Sequence, residues 1–154
     1  FYFGTKYSKA MGANITMSDG TLNSVHMGSY GIGVSRLAGA IIEASHDDDG
    51  IIWPEEVSPF DIGIINLSHG NLVCDQMSLT IYEKLKSTGK EILFDDTNER
   101  AGVKLSNMDL IGIPLQVRVG SRLAKESKYE LKVRKSGKIF EFSLHELLKF
   151  IGEF

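Results

Sequence analysis

Met27-Gly-Ser-Tyr-Gly-Ile-Gly-Val-Ser-Arg36, continuing as Leu-Ala-Gly-Ala-Ile-Ile-Glu-Ala44, decides how the rest of the chain is read. Glycines at 28, 31 and 33 are expected to let the backbone approach a ligand closely and to take φ/ψ values that other residues avoid. Val34, Leu37, Ala38, Ile41 and Ile42 then fall at i, i+3, i+4, i+7 and i+8, which predicts a helix over about 35–45. The unit reads as strand, glycine-rich turn and helix, with Arg36 near the helix start. Free N–H groups and the helix dipole suit such a start to a polyphosphate. Two readings compete: a glycine-rich connection between packed elements, and a nucleotide site. A dinucleotide fingerprint is excluded, because Arg36 stands where a third glycine is needed. Thr21–Met27 is also too polar for a strand buried on both faces.

The same residues closely resemble motif 3 of the class II aminoacyl-tRNA synthetases. The longer run Met27 to Pro54 resembles the bacterial prolyl-tRNA synthetases specifically, and Phe3-Gly-Thr-Lys-Tyr-Ser8 is similar to their segment just upstream of motif 3. Asp95–Lys104 and Asp109–Pro114 carry the resemblance towards the C-terminus. It implies an α/β (α+β) chain in two parts. Residues 1–58 would close an antiparallel catalytic sheet, and 59–154 would form an anticodon-binding domain with a five-stranded mixed sheet flanked by helices.

The resemblance also implies a function: ATP-dependent activation of proline to prolyl-adenylate, then transfer to tRNA(Pro), in a cytoplasmic homodimer with Mg2+ accompanying ATP. By motif position, Arg36 would be catalytic and hold ATP's phosphates, and Gly31 and Gly33 would give the nucleotide room. Gly28 and Ser29 would line the proline pocket. Anticodon contacts would fall near Asp95–Lys104, with Glu99, Arg100 and Lys104 as candidates; a solvated loop paired to itself is the competing reading there. The family's motifs 1 and 2 have no counterpart here, and the chain starts at Phe1 without a methionine. The expectation is therefore a C-terminal fragment, inactive alone. The runner-up is an accessory RNA-binding module that kept the anticodon-type fold without catalysis. A sibling synthetase for threonine or glycine is a third reading.

Composition agrees with a soluble globular chain: 154 residues, 42% hydrophobic and 24% charged. No apolar run is long enough to span a membrane and no export leader opens the chain. The single cysteine, Cys74, excludes an internal disulfide and falls on a predicted helix's apolar face, as a buried thiol. The net charge of −3 argues against indiscriminate nucleic-acid binding, but it is unevenly spread. Residues 1–59 carry 3 Lys/Arg against 7 Asp/Glu, whereas 60–154 carry 14 against 13. Arg118, Arg122, Lys125, Lys128, Lys132, Arg134, Lys135 and Lys138 predict a local basic surface that would meet phosphate.

In chain order, 13–30 reads as a hairpin turning at Ser18-Asp-Gly20, with His26 on the return strand. Ser45–Gly50 reads as a solvated acidic loop without a metal, since consecutive side chains diverge. Glu55–Pro59 holds the best domain boundary. Phe60–Leu67 is a buried central strand, Cys74, Met77, Ile81 and Leu85 mark a helix, and Glu91–Asp95 is a second strand. A loop and a short helix from roughly 100 to 111 precede strands carrying Leu115, Val117, Val119 and Tyr129, Leu131, Val133. The chain turns at Ser136-Gly137 and returns over 139–142. Ser143-Leu-His-Glu146 is a capping box opening a final helix, with His145 exposed.

Overall fold

The computed structural model describes residues 1–153, which form two compact units that divide between Ala38 and Gly39. In the first, β1 (Tyr2–Gly4) leads into α1 (Lys6–Met11), followed by the hairpin β2 (Asn14–Thr16) and β3 (Leu22–Ser24) and by β4 (Met27–Gly28). The hairpin is shorter than the sequence predicts. Its return strand stops at Ser24, and β4 pairs antiparallel with β1 instead. His26 lies outside either ladder, exposed, hydrogen-bonded to the Tyr2 hydroxyl and stacked on its ring at 5.8 Å. Apart from Ser8, no described side chain of this unit is buried; Tyr30 is 93% exposed and Val34 81%. α2 (Val34–Ala44) straddles the division between the units, and its apolar face is open.

The second unit begins with a tight hairpin, β5 (His46–Asp47) and β6 (Gly50–Ile51). Then come β7 (Ile62–Asn66), α3 (Leu72–Lys86), β8 (Ile92–Asp95), α4 (Ala101–Ile111), β9 (Leu115–Val119) and the short α5 (Ser121–Ala124). β10 (Lys128–Val133), β11 (Ile139–Ser143) and α6 (Leu144–Glu153) complete it. The five strands form one mixed sheet in the order β11-β10-β9-β7-β8, with β7 parallel to both neighbours and β9, β10 and β11 antiparallel. Each βα crossover needs a helix to return the chain to a parallel neighbour, which explains the alternation of strands and helices. The helices are capped locally. The Asn71 carboxamide accepts from Val73 and Cys74 N–H, and the Ser143–Glu146 box closes with Ser143 N donating to Glu146 at 2.9 Å.

The two sheet faces are chemically different because side chains alternate along each strand. Ile62, Ile64, Val117, Val119 and Leu131 join Cys74, Ile81, Leu147 and Ile151 in the main core, beneath α3 and α6. The opposite face, under α4, holds a small cluster of Ile65, Met108 and Ile113 and a polar layer. There Arg118 bonds Glu130 at 2.9 Å, Lys132 bonds Asp109 at 2.7 Å, and Gln116 donates to the same carboxylate at 2.9 Å. Arg134 donates to Asp47 at 2.7 Å and to the Asp109 carbonyl at 3.2 Å.

This layer corrects two expectations. Arg118 and Arg134 are buried and Lys132 half-buried, so they are not part of a basic surface; period-two alternation turns all three onto the α4 face, where acids meet them. Nor is 45–50 wholly a solvated loop, because Asp47 caps its own turn through Asp49 and Gly50 N–H and grips Arg134. Gly50 and Gly112 permit the contact between this hairpin and α4. A side-chain carbon at Gly50 would fall 2.4 Å from Leu110 Cα, and one at Gly112 2.3 Å from the Ile51 carbonyl oxygen. Gly112 also ends α4 in the left-handed conformation, φ 82°.

The Arg134 hydrogen bond holds the Asp47 carboxyl well below the usual carboxylate range. Burial pushes Asp109 up, but hydrogen bonds from Lys132 and Gln116 outweigh it and leave it lowered. A carboxylate depressed in the folded state contributes stability above its unfolded pKa of roughly 4 and loses it as pH falls through the folded value. Asp109→Asn is therefore expected to flatten the fall in urea midpoint between pH 5 and 2, and a parallel acid limb would exclude this role.

Candidate nucleotide and RNA sites

The glycine stretch leaves β4 and runs without regular structure from Ser29 to Gly33, where α2 begins. Gly28, Gly31 and Gly33 all have ordinary negative φ, so the expected need for unusual backbone angles is not met. What they provide is space. Nothing lies within 4 Å of a side-chain carbon built at Gly31, and at Gly33 only the Arg36 stem, 3.6 Å away. At Gly28 the Tyr30 ring folds over the backbone, with its hydroxyl 2.9 Å from where a methyl would sit. Arg36 is the third residue of α2, exposed, and bonded to no other described residue. Its guanidinium thus stays available at a helix start, beside N–H groups that the helix itself leaves unpaired. Ser29 is also exposed.

In the second unit the parallel strands change direction of connection between β7 and β9: β7 leads through α3 to β8 on one side, and β9 lies on the other. Open α/β sheets bind ligands outside the carboxyl ends of strands at such a point. A crevice of about 330 Å³ lies there, lined by Ser68 after β7, Gly120 and Arg122 after β9, Ala101 at the start of α4, and Arg118 with Glu130 on its floor. Arg118 is 8% exposed; Nη1 pairs with Glu130 and Nη2 reaches Gln116 at 3.4 Å, while its buried Nε has no partner among the described residues. Arg122 is exposed and donates to Glu141 at 3.0 Å.

Glu99 and Arg100 are exposed and immediately precede Ala101 at the crevice mouth. Lys104, expected as an anticodon contact, is instead enclosed. It is 1% exposed on α4, with Nζ donating to the Asn66 carbonyl at 2.7 Å and lying 3.5 Å from Asp95. An ammonium is buried only where such partners satisfy it, so Lys104 ties the ends of β7 and β8 to α4 from beneath. Asn66 in turn donates to Asp75 at 2.7 Å and accepts from Ser68 N–H at 3.0 Å, shaping the loop that edges the crevice. The sequence reading placed Arg118 on a phosphate-meeting surface and did not single out Glu130 or Asn66 for the site. The signal was the polar residue closing the apolar strand 62–66 and the glycine closing 115–119.

Guanidinium, carboxylate and main-chain groups gathered in one polar crevice can meet both donors and acceptors on the edge of an unstacked base. Comparison with known proteins gives the family. Residues 61–154 match the family described as the anticodon binding domain. The proline–tRNA ligase of Hyphomonas neptunium is 53% identical over 148 residues, 96% of this chain and 34% of that protein. The proline–tRNA ligase of Parvibaculum lavamentivorans is 57% identical over 143 residues, 93% of this chain and 33% of that protein. The chain thus spans about a third of the length of these relatives. The crystal structure of Cryptosporidium parvum prolyl-tRNA synthetase complexed with L-proline and AMP superposes with a TM-score of 0.68. It is 19% identical, with 99% of this chain and 34% of that chain covered, and shows the shared fold. The chain belongs to the anticodon-binding domain family, in the form carried by bacterial proteins named proline–tRNA ligase.

Proposed function

We propose that this chain supplies the nucleotide-binding turn and the anticodon-reading domain of a proline–tRNA ligase. The observation that carries the reading is a free guanidinium, Arg36, at the start of the helix behind the glycine turn, on the same chain as an anticodon-type fold. A pure RNA-binding module has no use for that turn, which disfavours the accessory-module reading.

In the proposed first step, the carboxylate of proline attacks the α-phosphorus of ATP, forming prolyl-adenylate as pyrophosphate leaves. Two anions must meet, so charge neutralisation and alignment dominate. Arg36 would neutralise phosphate charge, Gly31 and Gly33 would leave the nucleotide room, and Gly28 and Ser29 would face proline. In the second step a terminal ribose hydroxyl of tRNA(Pro) attacks the adenylate carbonyl and AMP departs. Among the described residues no three His, Cys, Asp or Glu side chains gather as a metal site. In this reading Mg2+ travels with the phosphates of ATP. The open apolar face at Tyr30, Ile32 and Val34 is the surface that further catalytic-sheet residues would cover. We keep 58/59 as the functional boundary, close to where the family match begins. A homodimer working in the cytoplasm completes the reading, and no helix among the described residues is long and apolar enough to cross a membrane.

At the crevice, Glu99, Arg100 and Arg118 would read anticodon bases, with Lys104 bracing the floor. Arg118→Lys in the full-length protein is expected to lower kcat/KM for tRNA(Pro) charging by roughly 10- to 100-fold, the worth of one bidentate base contact. Proline-dependent ATP–pyrophosphate exchange should stay within about twofold, since that step involves no RNA. Unchanged discrimination between anticodon-substituted tRNAs would remove Arg118 from the assignment.

A further inference from the structure

The strand that carries the proposed proline side of the site offers little of its own to fix its place. β4 is two residues long, Met27–Gly28, and runs straight into the glycine stretch. Register is weakly specified in glycine-rich strands, and a slip of one residue turns every side chain to the opposite face. Three contacts hold β4 against the start of the chain. Tyr2 pairs with Gly28 and Gly4 with Met27, so Phe3 is an extra residue on β1, a bulge that bends and twists the strand, with Gly4 in the left-handed region at φ 55°. Just past β4, Ser29 N–H donates to the Phe1 carbonyl at 2.9 Å. The third contact is between side chains. A glycine stands opposite Tyr2, so Tyr2 reaches diagonally to the residue two before that glycine, His26. Its hydroxyl shares a hydrogen bond with His26 Nδ1, and the two rings stack with centroids 5.8 Å apart and planes 21° from parallel.

We infer that His26 is a positioning residue for the amino-acid half of the site, clasped by Tyr2 so that Gly28 and Ser29 stay in register to receive proline. This rests on the functional reading above, in which those two residues face proline. The residues assigned to ATP, Gly31, Gly33 and Arg36, come after β4 has ended, in the irregular stretch and on α2. The clasp therefore acts on one substrate and not on the other.

The test is proline-dependent ATP–pyrophosphate exchange by the full-length protein, with proline and ATP varied separately. His26→Ala and Tyr2→Phe should each raise KM for proline about fivefold, the scale of one ordinary hydrogen bond. Both kcat and KM for ATP should stay within about twofold. The double variant should be no worse than either single one, because both changes remove the same bond. His26→Asn presents an oxygen and an N–H at about the reach of Nδ1, and should return KM for proline to within about twofold of wild type. Tyr2→Phe keeps the ring stack, so it carries the test if His26→Ala folds poorly. The assignment is overturned if KM for proline holds in both single variants, if their effects multiply in the double variant, if KM for ATP rises by the same factor, or if His26→Asn behaves as His26→Ala does. A wild-type protein that runs no exchange with proline would instead defeat the functional reading, and this assignment with it.

Discussion

Arg36→Ala in the full-length protein should lower kcat/KM for proline-dependent ATP–pyrophosphate exchange by at least about 100-fold. That corresponds to about 3 kcal/mol of lost transition-state stabilisation, the scale of removing one preorganised donor. The size follows from the surroundings. The guanidinium bonds to no other described residue, so none of them shares its charge, and its removal falls on the bound triphosphate. For the same reason the variant should melt within a degree or two of the wild type, since an exposed, unpaired side chain contributes little stability. Arg36→Lys should recover only part of the rate, because an ammonium lacks the planar fork that matches phosphate oxygens. Wild-type kcat/KM in Arg36→Ala would take Arg36 out of the reaction.

The second large effect is on folding. Lys104→Ala should destabilise the protein by about 3 kcal/mol in urea unfolding, the range for breaking a buried charge pair and leaving a carbonyl unpaired. Its Nζ bonds the Asn66 carbonyl at 2.7 Å, Asp95 sits 3.5 Å away, and the stem fills a site 1% exposed. Lys104→Met should restore more than half of the loss, because it refills the stem's volume while giving up only the polar contacts. Both variants should also blunt anticodon discrimination, since the loops after β7 and β8 lose their common anchor. An unchanged urea midpoint in Lys104→Ala would show that the buried ammonium anchors nothing.

The sheet was legible because its strands announce themselves by burial. Five successive residues of β7 are enclosed, and their apolar run reads directly as a strand covered on both faces. The capping box at Ser143 and the left-handed stop at Gly112 were similarly local, and local chemistry is what sequence records best. The partners of charged residues were not legible. Lys132 and Arg134 read as a basic surface because Asp109 and Asp47 lie far away in the chain, and Arg118 because its partner Glu130 stands on the neighbouring strand; only the folded sheet brings them together. Lys104 was misplaced for the same reason: its anchor at Asn66 is 38 residues distant. The glycine turn was located correctly by composition, but for a different physical reason. Its glycines leave space; they do not adopt left-handed angles.

The most direct measurement is charging of tRNA transcripts by the full-length protein with each of the twenty amino acids, using tRNA(Pro) with its own and with a substituted anticodon. The account predicts proline on the native transcript and a loss of about 100-fold or more when the anticodon bases are replaced. Equal charging of both transcripts, or charging with a different amino acid, would contradict it.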